Sequence, residues 1–583
     1  MDVSSAVTSS LQSLPVADGA EAFVEMLNRN QVDYLFLNPG TDTFPIQEAI
    51  AKFQHLERRT PTPILCLHEM VAGSAAHGYY MVTGRPQVVL VHVDVGTQNL
   101  GCAVHNAQRG RAAMVICAGR TPFTFEGERR GGRESYIHWL QEQYNQAGIL
   151  HDYVKWDYEL RCADSIGHTV QRAFQIAASE PAGPVYLSLP REALMESLTE
   201  FRPVSPSRYQ PPSPPQADPG QLAEAARLLV GAERPLIITA TAGRKPEGMA
   251  GLLELAELLA IPVTESRDRV NFPTGHDLYA GARAGDLLSQ ADLVLLVDTD
   301  VPYIPSQVSL TANCKFIQID SDPLKQDIPL WGFPVDVPIL ADSTLALPVL
   351  AQEARGMISQ EHRAKIASRR ASCAGQRATR MARSEATATR RGDQRPIAVE
   401  WLCYCLNQAL PQDSIILNET VTNGGVVTEY IQRSQVGTFF QHGGSGLGWS
   451  VGAALGAKLA APDRLVVNLT GDGSFIYSAP LAALWAADVY RAPFLTVIFN
   501  NTMYNAPKRA LMQGYKESYS ARYNRWIGID IVPSPNYRMV AESCRAYGET
   551  VSDPAEVTPA IGRALKAISN GQAAVLDVMI ERP

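Results

Sequence analysis

Short, unbroken apolar runs punctuate this chain, each followed by a polar or glycine turn and then a stretch with helical spacing. Unbroken runs mark strands buried on both faces, and strands that alternate with helices build parallel sheets. In the first third, residues 34–37, 64–67, 87–93, 113–118 and 185–189 predict strands, with a helix over 19–30 ahead of them. A second series runs through 235–239, 261–264, 293–298 and 315–319. A third comprises 414–417, 464–470 and 494–499, with an Ala- and Leu-rich helix expected over 478–489. The fold class is therefore α/β, with three doubly wound parallel-sheet domains.

Changes in composition place the boundaries. Residues 1–17 read as an N-terminal extension and 18–201 as the first domain. The proline-dense stretch 202–220 reads as an extended linker. The second domain is expected over 221–350, an Ala- and Arg-rich helical linker over 351–395, and the third domain over 396–583. The basic residues of 351–395 read as the solvated face of a helical connector.

Composition narrows the function. The 583 residues are 46% hydrophobic and 19% charged, enough apolar material for several large cores. A net charge of −8 argues against a nucleic-acid binder. Nine scattered cysteines without a CxxC pair fit a reducing compartment and no structural zinc. The start lacks the charged and apolar regions of a secretory signal, and no run is long enough to cross a membrane. The terminal Ile-Glu-Arg-Pro is no peroxisomal address. These features predict a cytoplasmic protein with no membrane partner.

The densest chemistry lies in Gly471-Asp472-Gly473-Ser474 and, one helix and one strand later, Asn500-Asn501. Both groups close predicted parallel strands, and open α/β sheets bind ligands at that edge. A carboxylate and an amide oxygen there suit Mg²⁺, which takes few protein oxygens and fills its shell with water and substrate phosphates. The glycines let backbone N–H groups approach a phosphate.

This segment resembles the thiamin-diphosphate motif of the decarboxylase and acetolactate-synthase superfamily, and the resemblance extends from about Val16 to the C-terminus. It implies pyrimidine-binding, middle and diphosphate-binding domains in that order. It implies thiamin diphosphate and Mg²⁺ as cofactors, with Asp472, Asn501 and the Met503 carbonyl as metal ligands. Gly471, Gly473, Ser474 and Tyr504 would line the diphosphate, with Thr420, Thr422 and Asn423 as donors from Asn418-Glu-Thr-Val-Thr-Asn-Gly-Gly425.

Glu69, in His68-Glu-Met-Val-Ala-Gly-Ser-Ala-Ala-His-Gly-Tyr79, reads without context as a helix N-terminal charge. The resemblance makes it the acid that hydrogen-bonds the cofactor's aminopyrimidine and so promotes loss of the thiazolium C2 proton. Gln441-His-Gly-Gly-Ser-Gly-Leu-Gly448 reads on its own as a phosphate-binding helix start. The resemblance makes Leu447 the apolar wedge between the cofactor rings and gives the Ser445 carbonyl to the 4′-amino group.

Substrate-side motifs are closest to benzoylformate decarboxylases. Thr41 in Asn38-Pro-Gly-Thr41, His92 in Val91-His-Val-Asp94 and His276 in Phe272-Pro-Thr-Gly-His276 match that subfamily's hydroxyl and two histidines, and histidine exchanges protons near neutrality. Departures at Asp94, Gln98 and the segment Tyr504-Asn-Ala-Pro-Lys-Arg509 weaken the case for an aromatic substrate. The reaction implied is non-oxidative decarboxylation of a 2-oxo acid, ligation to an aldehyde, or both. Two alternatives stay open: a 2-hydroxyacyl-CoA lyase, with the basic run 128–133 facing CoA phosphate, and acetolactate-synthase-like condensation. The family's cofactor sites lie between subunits, which implies a homodimer or homotetramer.

Overall fold

The computed structural model describes residues 15–266, 268–282 and 285–582. Residues 1–14 of the expected N-terminal extension lie outside them. Three parallel sheets are present, as expected. The first contains β1 (Tyr34–Asn38), β2 (Thr62–Leu65), β3 (Gln87–Val91), β4 (Met114–Arg120), β5 (Asp157–Glu159) and β6 (Pro184–Pro190), in the order 2-1-3-4-6-5. The second contains β7 (Pro235–Thr239), β8 (Val263–Glu265), β9 (Leu293–Val297), β10 (Lys315–Asp320) and β11 (Val337–Leu340), in the order 11-10-9-7-8. The third contains β12 (Ile415–Glu419), β13 (Phe439–Phe440), β14 (Val466–Gly471), β15 (Leu495–Asn500), β16 (Tyr547–Val551) and β17 (Ala574–Met579), in the order 13-12-14-15-17-16.

The first and third orders are the same when each sheet is counted from its own first strand. In both, strand order reverses between the first and third strands, which opens a crevice at their carboxyl ends. β3, β7, β9, β12 and β15 are buried at every position, which explains their predominantly apolar sequences.

The first and third domains share one core. Helices Glu69–Thr83 and Trp449–Ala460 are built largely of small residues and are buried nearly all round. A side chain on Gly78 or Gly456 would overlap the backbone of the facing helix, so the two helices pack almost main chain to main chain. Phe36 and Met70 from one domain and Trp449, Phe475 and Phe494 from the other belong to a single apolar cluster. The middle domain has its own core around Leu255, Val263, Leu295 and Ile317. It meets the first domain through buried charges. Arg111 of the first domain lies 2.8 Å from Asp300 and 3.8 Å from the buried Asp320 of the middle domain, and Lys325, within the middle domain, lies 2.6 Å from Asp320. Removing one partner of such a buried pair typically costs about 3–5 kcal/mol.

Several details differ from the sequence pattern. Residues 360–390 form one 31-residue helix, Gln360–Arg390, largely exposed, in which Arg369, Arg370 and Arg380 bond main-chain carbonyls of the middle domain. Arg369 donates to the Ala260 and Ala232 carbonyls and so caps two helices of the middle domain. The pattern passes over β5, β11, β13, β16 and β17. Four of these are sheet edges, where one side is unpaired and an apolar run is not required. The glycine turn expected after β14 is instead a direct entry into a short helix, Asp472–Tyr477.

Candidate active site

The third domain supplies a cation-ready corner at the carboxyl ends of β12, β14 and β15. Asp472 opens its helix with the carboxylate buried, and Oδ2 has no hydrogen-bond partner among the described residues. Burial pushes this carboxyl up to about 6, and Asp577 pushes in the same direction. A buried carboxylate with an orphaned oxygen lacks a positive charge. The two asparagines are not equivalent. Asn500 spends its amide on Asp577 Oδ1 at 2.8 Å and Ser534 Oγ at 3.1 Å, which fixes the strand end. Asn501 accepts only from Met503 N, at 3.1 Å, across a bend where Thr502 has φ +55°. One helical turn past Met503 stands Pro507, which has no N–H to offer the Met503 carbonyl. Carboxylate, amide oxygen and main-chain carbonyl form a hard-oxygen donor set that fits Mg²⁺.

Gly473 is constrained by Tyr504, whose ring occupies the space of a Cβ. The predicted donors after β12 are placed but partly engaged. Thr420 Oγ1 donates to Asn418 Oδ1 at 2.8 Å, Thr422 Oγ1 accepts from Asn505 Nδ2 at 3.2 Å, and Asn423 N–H donates to the Thr420 carbonyl. Ser474 is buried beside Asp472.

The glycine-rich segment before Trp449 has a partner that sequence reasoning missed. Glu419, at the end of β12, accepts from Gly448 N at 2.6 Å and Ser450 N at 2.8 Å. Its carboxylate thus fills the helix start that the sequence left open for phosphate, and burial pushes it up to about 7. An acid two residues past the apolar run Ile415–Leu417 was the available signal. Residues 445–447 rest on the first domain's helix Gly101–Arg109. Ser445 N donates to His105 Nε2 at 3.1 Å, and Asn106 exchanges hydrogen bonds with Gly446 at 2.8 and 3.0 Å. Leu447 is half-buried at this junction.

The first domain supplies an acid–base corner at the carboxyl ends of β1 and β3. Glu69 starts its helix buried, with Oε1 accepting from Asn38 Nδ2 at 2.8 Å and Oε2 from Asn99 Nδ2 at 3.0 Å. His92 follows β3, and its Nδ1 is hydrogen-bonded to Asp42. Asp42 lies two residues past the Asn-Pro-Gly turn, was not anticipated, and is buried. That bond raises the imidazole above its ordinary value, against the opposing effect of burial. Val93 has φ +27°, a conformation β-branched residues avoid and one that costs about 1–3 kcal/mol.

Thr41 is exposed, and its carbonyl accepts from the buried Arg191. His276 lies on the middle domain, with Nδ1 accepting from Leu278 N and Nε2 at 3.1 Å from Glu257. The structure therefore brings Glu69 and His92 together and does not bond Thr41 or His276 to either within one protomer. Nor does any described hydrogen bond or ion pair join the Glu69 corner to the Asp472 corner. Exposed apolar side chains flank both: Leu67 and Val95 at the first, Ile476, Tyr477 and Leu481 at the second.

Comparison with known proteins matches three family models along the chain. Residues 17–149 match the N-terminal TPP binding domain of thiamine pyrophosphate enzymes, 222–350 the central domain and 420–578 the C-terminal TPP binding domain. A benzoylformate decarboxylase of Pseudomonas aeruginosa is 28% identical over 83% of this chain and 86% of its own length. A probable acetolactate synthase large subunit of Methanococcus aeolicus is 24% identical over 94% of this chain and 90% of its own. The solved thiamine diphosphate-dependent 4-hydroxybenzoylformate decarboxylase of Rhodococcus jostii superposes with a TM-score of 0.77 at 22% identity, covering 97% of this chain and 100% of its own, a likeness of fold. Among the described residues, no helix is long and apolar enough to cross a membrane. With three domain models matched in order across its length, the chain belongs to the thiamine pyrophosphate-dependent enzymes, the family of decarboxylases and acetolactate synthases that break and make carbon–carbon bonds.

Proposed function

We propose that this enzyme uses thiamin diphosphate and Mg²⁺ to decarboxylate a 2-oxo acid, to ligate the resulting acyl unit to an aldehyde, or both, in the manner of benzoylformate decarboxylase. The observation that carries the reading is the pairing of two incomplete corners at the same topological place in two sheets of the same order. One holds an acid clamped by two amides, Glu69; the other holds a carboxylate with an orphaned oxygen, Asp472.

Asp472, Asn501 and the Met503 carbonyl would hold Mg²⁺. The Gly471–Ser474 backbone, Thr422 and Asn423 would receive the diphosphate, beneath Tyr504. Glu69 would hydrogen-bond the pyrimidine ring, and Leu447 and the Ser445 carbonyl would face the rings. Bound thiamin diphosphate supplies an electron sink for cleavage next to a carbonyl. His92 is placed to exchange protons with substrate, with Thr41 and His276 as further substrate contacts. Since the two corners are unconnected in one protomer and flanked by exposed apolar residues, a homodimer that joins Glu69 of one copy to Asp472 of the other, or a tetramer of such dimers, is the assembly proposed.

One observation favours a second reading. Asp94, next to His92, is buried and bridges Gln98 at 3.3 Å and Gln143 at 3.2 Å, a polar wall where an aryl group needs an apolar one. A small acyl donor and acetolactate-type condensation onto a second 2-oxo acid suit such a wall. Purified protein with thiamin diphosphate and Mg²⁺ should be given aliphatic, aromatic and CoA-linked 2-oxo and 2-hydroxy acids while CO₂, aldehyde and acetoin-forming products are followed. Release of CO₂ and aldehyde supports the main reading. Acetoin colour after acid treatment supports the second, and turnover confined to CoA-linked acids overturns both.

A further inference from the structure

Asp42 makes two bonds to consecutive residues at the end of β3. One carboxylate oxygen engages His92 Nδ1, and the other accepts from Val93 N at 3.2 Å. The chain is cut to fit this pair. A Cβ on Gly40 would overlap the His92 ring, and a Cβ on Gly119, in β4, would overlap the Asp42 carboxylate. Asp42 is 3% exposed, so it cannot exchange its partners for water. His92 keeps 27% of its side chain accessible, and Nε2 is the ring nitrogen that Asp42 leaves free. Val93, whose N–H the second oxygen holds, is the residue in the strained left-handed region. The single carboxylate therefore sets both the ring orientation and the backbone from which the ring projects.

We propose that Asp42 is a positioning residue that fixes His92 with its proton on Nδ1, so that Nε2 is presented to the substrate as the nitrogen that exchanges protons. This inference rests on the functional reading above for the identity of the substrate, a 2-oxo acid. The ring's surroundings point the same way. Asp94, from the helix that follows, and Glu69, from the neighbouring helix, add negative charge around the ring, and both raise its affinity for a proton, as does Asp42 itself. The guanidinium of Arg191 is turned to the Thr41 carbonyl and to Glu134. An imidazolium beside an acid-handling site binds a carboxylate and can then return one proton from Nε2, with the positive charge on the ring lost as the proton leaves.

The test reads His92 directly. Holoenzyme carrying labelled histidine is titrated by NMR, with the resonance assigned from a His92→Gln sample, in wild type and in Asp42→Asn. The wild-type imidazole is expected to titrate above the ordinary value near 6.5, and the Asn variant about one pH unit or more lower. In the same variant, kcat should fall about 10–100-fold and the alkaline limb of the kcat profile should move to lower pH, while thiamin diphosphate affinity stays within about twofold. A merely structural aspartate would lower the yield of folded enzyme and leave the profile in place. A wild-type His92 that titrates below 6.5 overturns the proposal without any variant, as does a value unchanged by Asp42→Asn. If the titrations behave as expected and no 2-oxo acid is turned over, the pair stands and the functional reading falls.

Discussion

Trp449 Nε1 donates to His77 Nδ1 at 3.1 Å, deep in the seam between the first and third domains. The indole can only donate, so His77 accepts at Nδ1 and is neutral. Burial pushes this imidazole down to about 3 and drives His442, whose ring also packs against the indole, to about 4. An unfolded histidine binds a proton below about 6.5. Between 6.5 and the folded values the unfolded chain therefore holds more protons, and the seam's contribution, complete above 6.5, drains away as pH falls.

The buried acids Glu419 and Glu265, both raised to about 7, act oppositely. Their contribution is complete below the ordinary carboxyl value and lost as pH rises through 7, so the two effects offset one another between about 6.5 and 4.5. Denaturant unfolding of wild type and His77→Asn across pH 6.5 to 4 isolates the histidine. The variant should lose about 1.4 kcal/mol less per pH unit than wild type. Parallel curves would mean that His77 titrates normally.

Glu69→Gln should fold and lose two or more orders of magnitude in turnover, the scale of a lost acid–base group. Each carboxylate oxygen accepts from an amide, and glutamine offers one acceptor and one donor, so Asn38 or Asn99 must turn away. Circular dichroism checks the fold and steady-state assay the rate. Near wild-type turnover removes Glu69 from the mechanism.

Asp472→Asn should separate stability from function. It replaces a charged oxygen that has no partner, so the cofactor-free variant should melt at or above the wild-type temperature. Wild type at a hundredfold excess of ligand over Kd gains about 2.7 kcal/mol, and the variant should gain almost nothing from thiamin diphosphate with Mg²⁺. Calorimetric titration showing unchanged affinity would reduce the Gly471–Ser474 segment to a structural turn.

Inactive Glu69→Gln and Asp472→Ala chains, unfolded and refolded together, should recover about a quarter of wild-type activity, because half the dimers are mixed and each mixed dimer has one intact site. No recovery would place the whole site within one protomer. Light scattering that found an active species of 63.4 kDa would do the same.

The chain's local pattern carries much of this architecture. β3, β12 and β15 are buried throughout and mostly apolar, and Asp472 and Asn501 follow β14 and β15, so the fold and the Asp472 corner are both visible in the sequence. What it hides are relationships between distant segments. Asp42 reaches His92 across 50 residues, and Glu419 reaches Gly448 across 29, and no periodicity encodes either meeting. The two-residue β13 is too short to register in any pattern. The Asp472 corner is legible as chemistry in the sequence, whereas the Glu69 corner needed the fold to show which carboxylate meets the histidine.

The shared core has a consequence for the newborn chain. Helix Glu69–Thr83 finds its cover in helix Trp449–Ala460, and the bond from Trp449 to His77 spans 372 residues. At translation rates of about 5–20 residues per second, the first domain leaves the ribosome with that apolar face bare for roughly 20–75 s. The middle domain can fold in the interval around a core of its own, which includes no residue of that helix. Its maturation is thus gated by the last third of the chain, and the bare helix is the surface a chaperone would meet first.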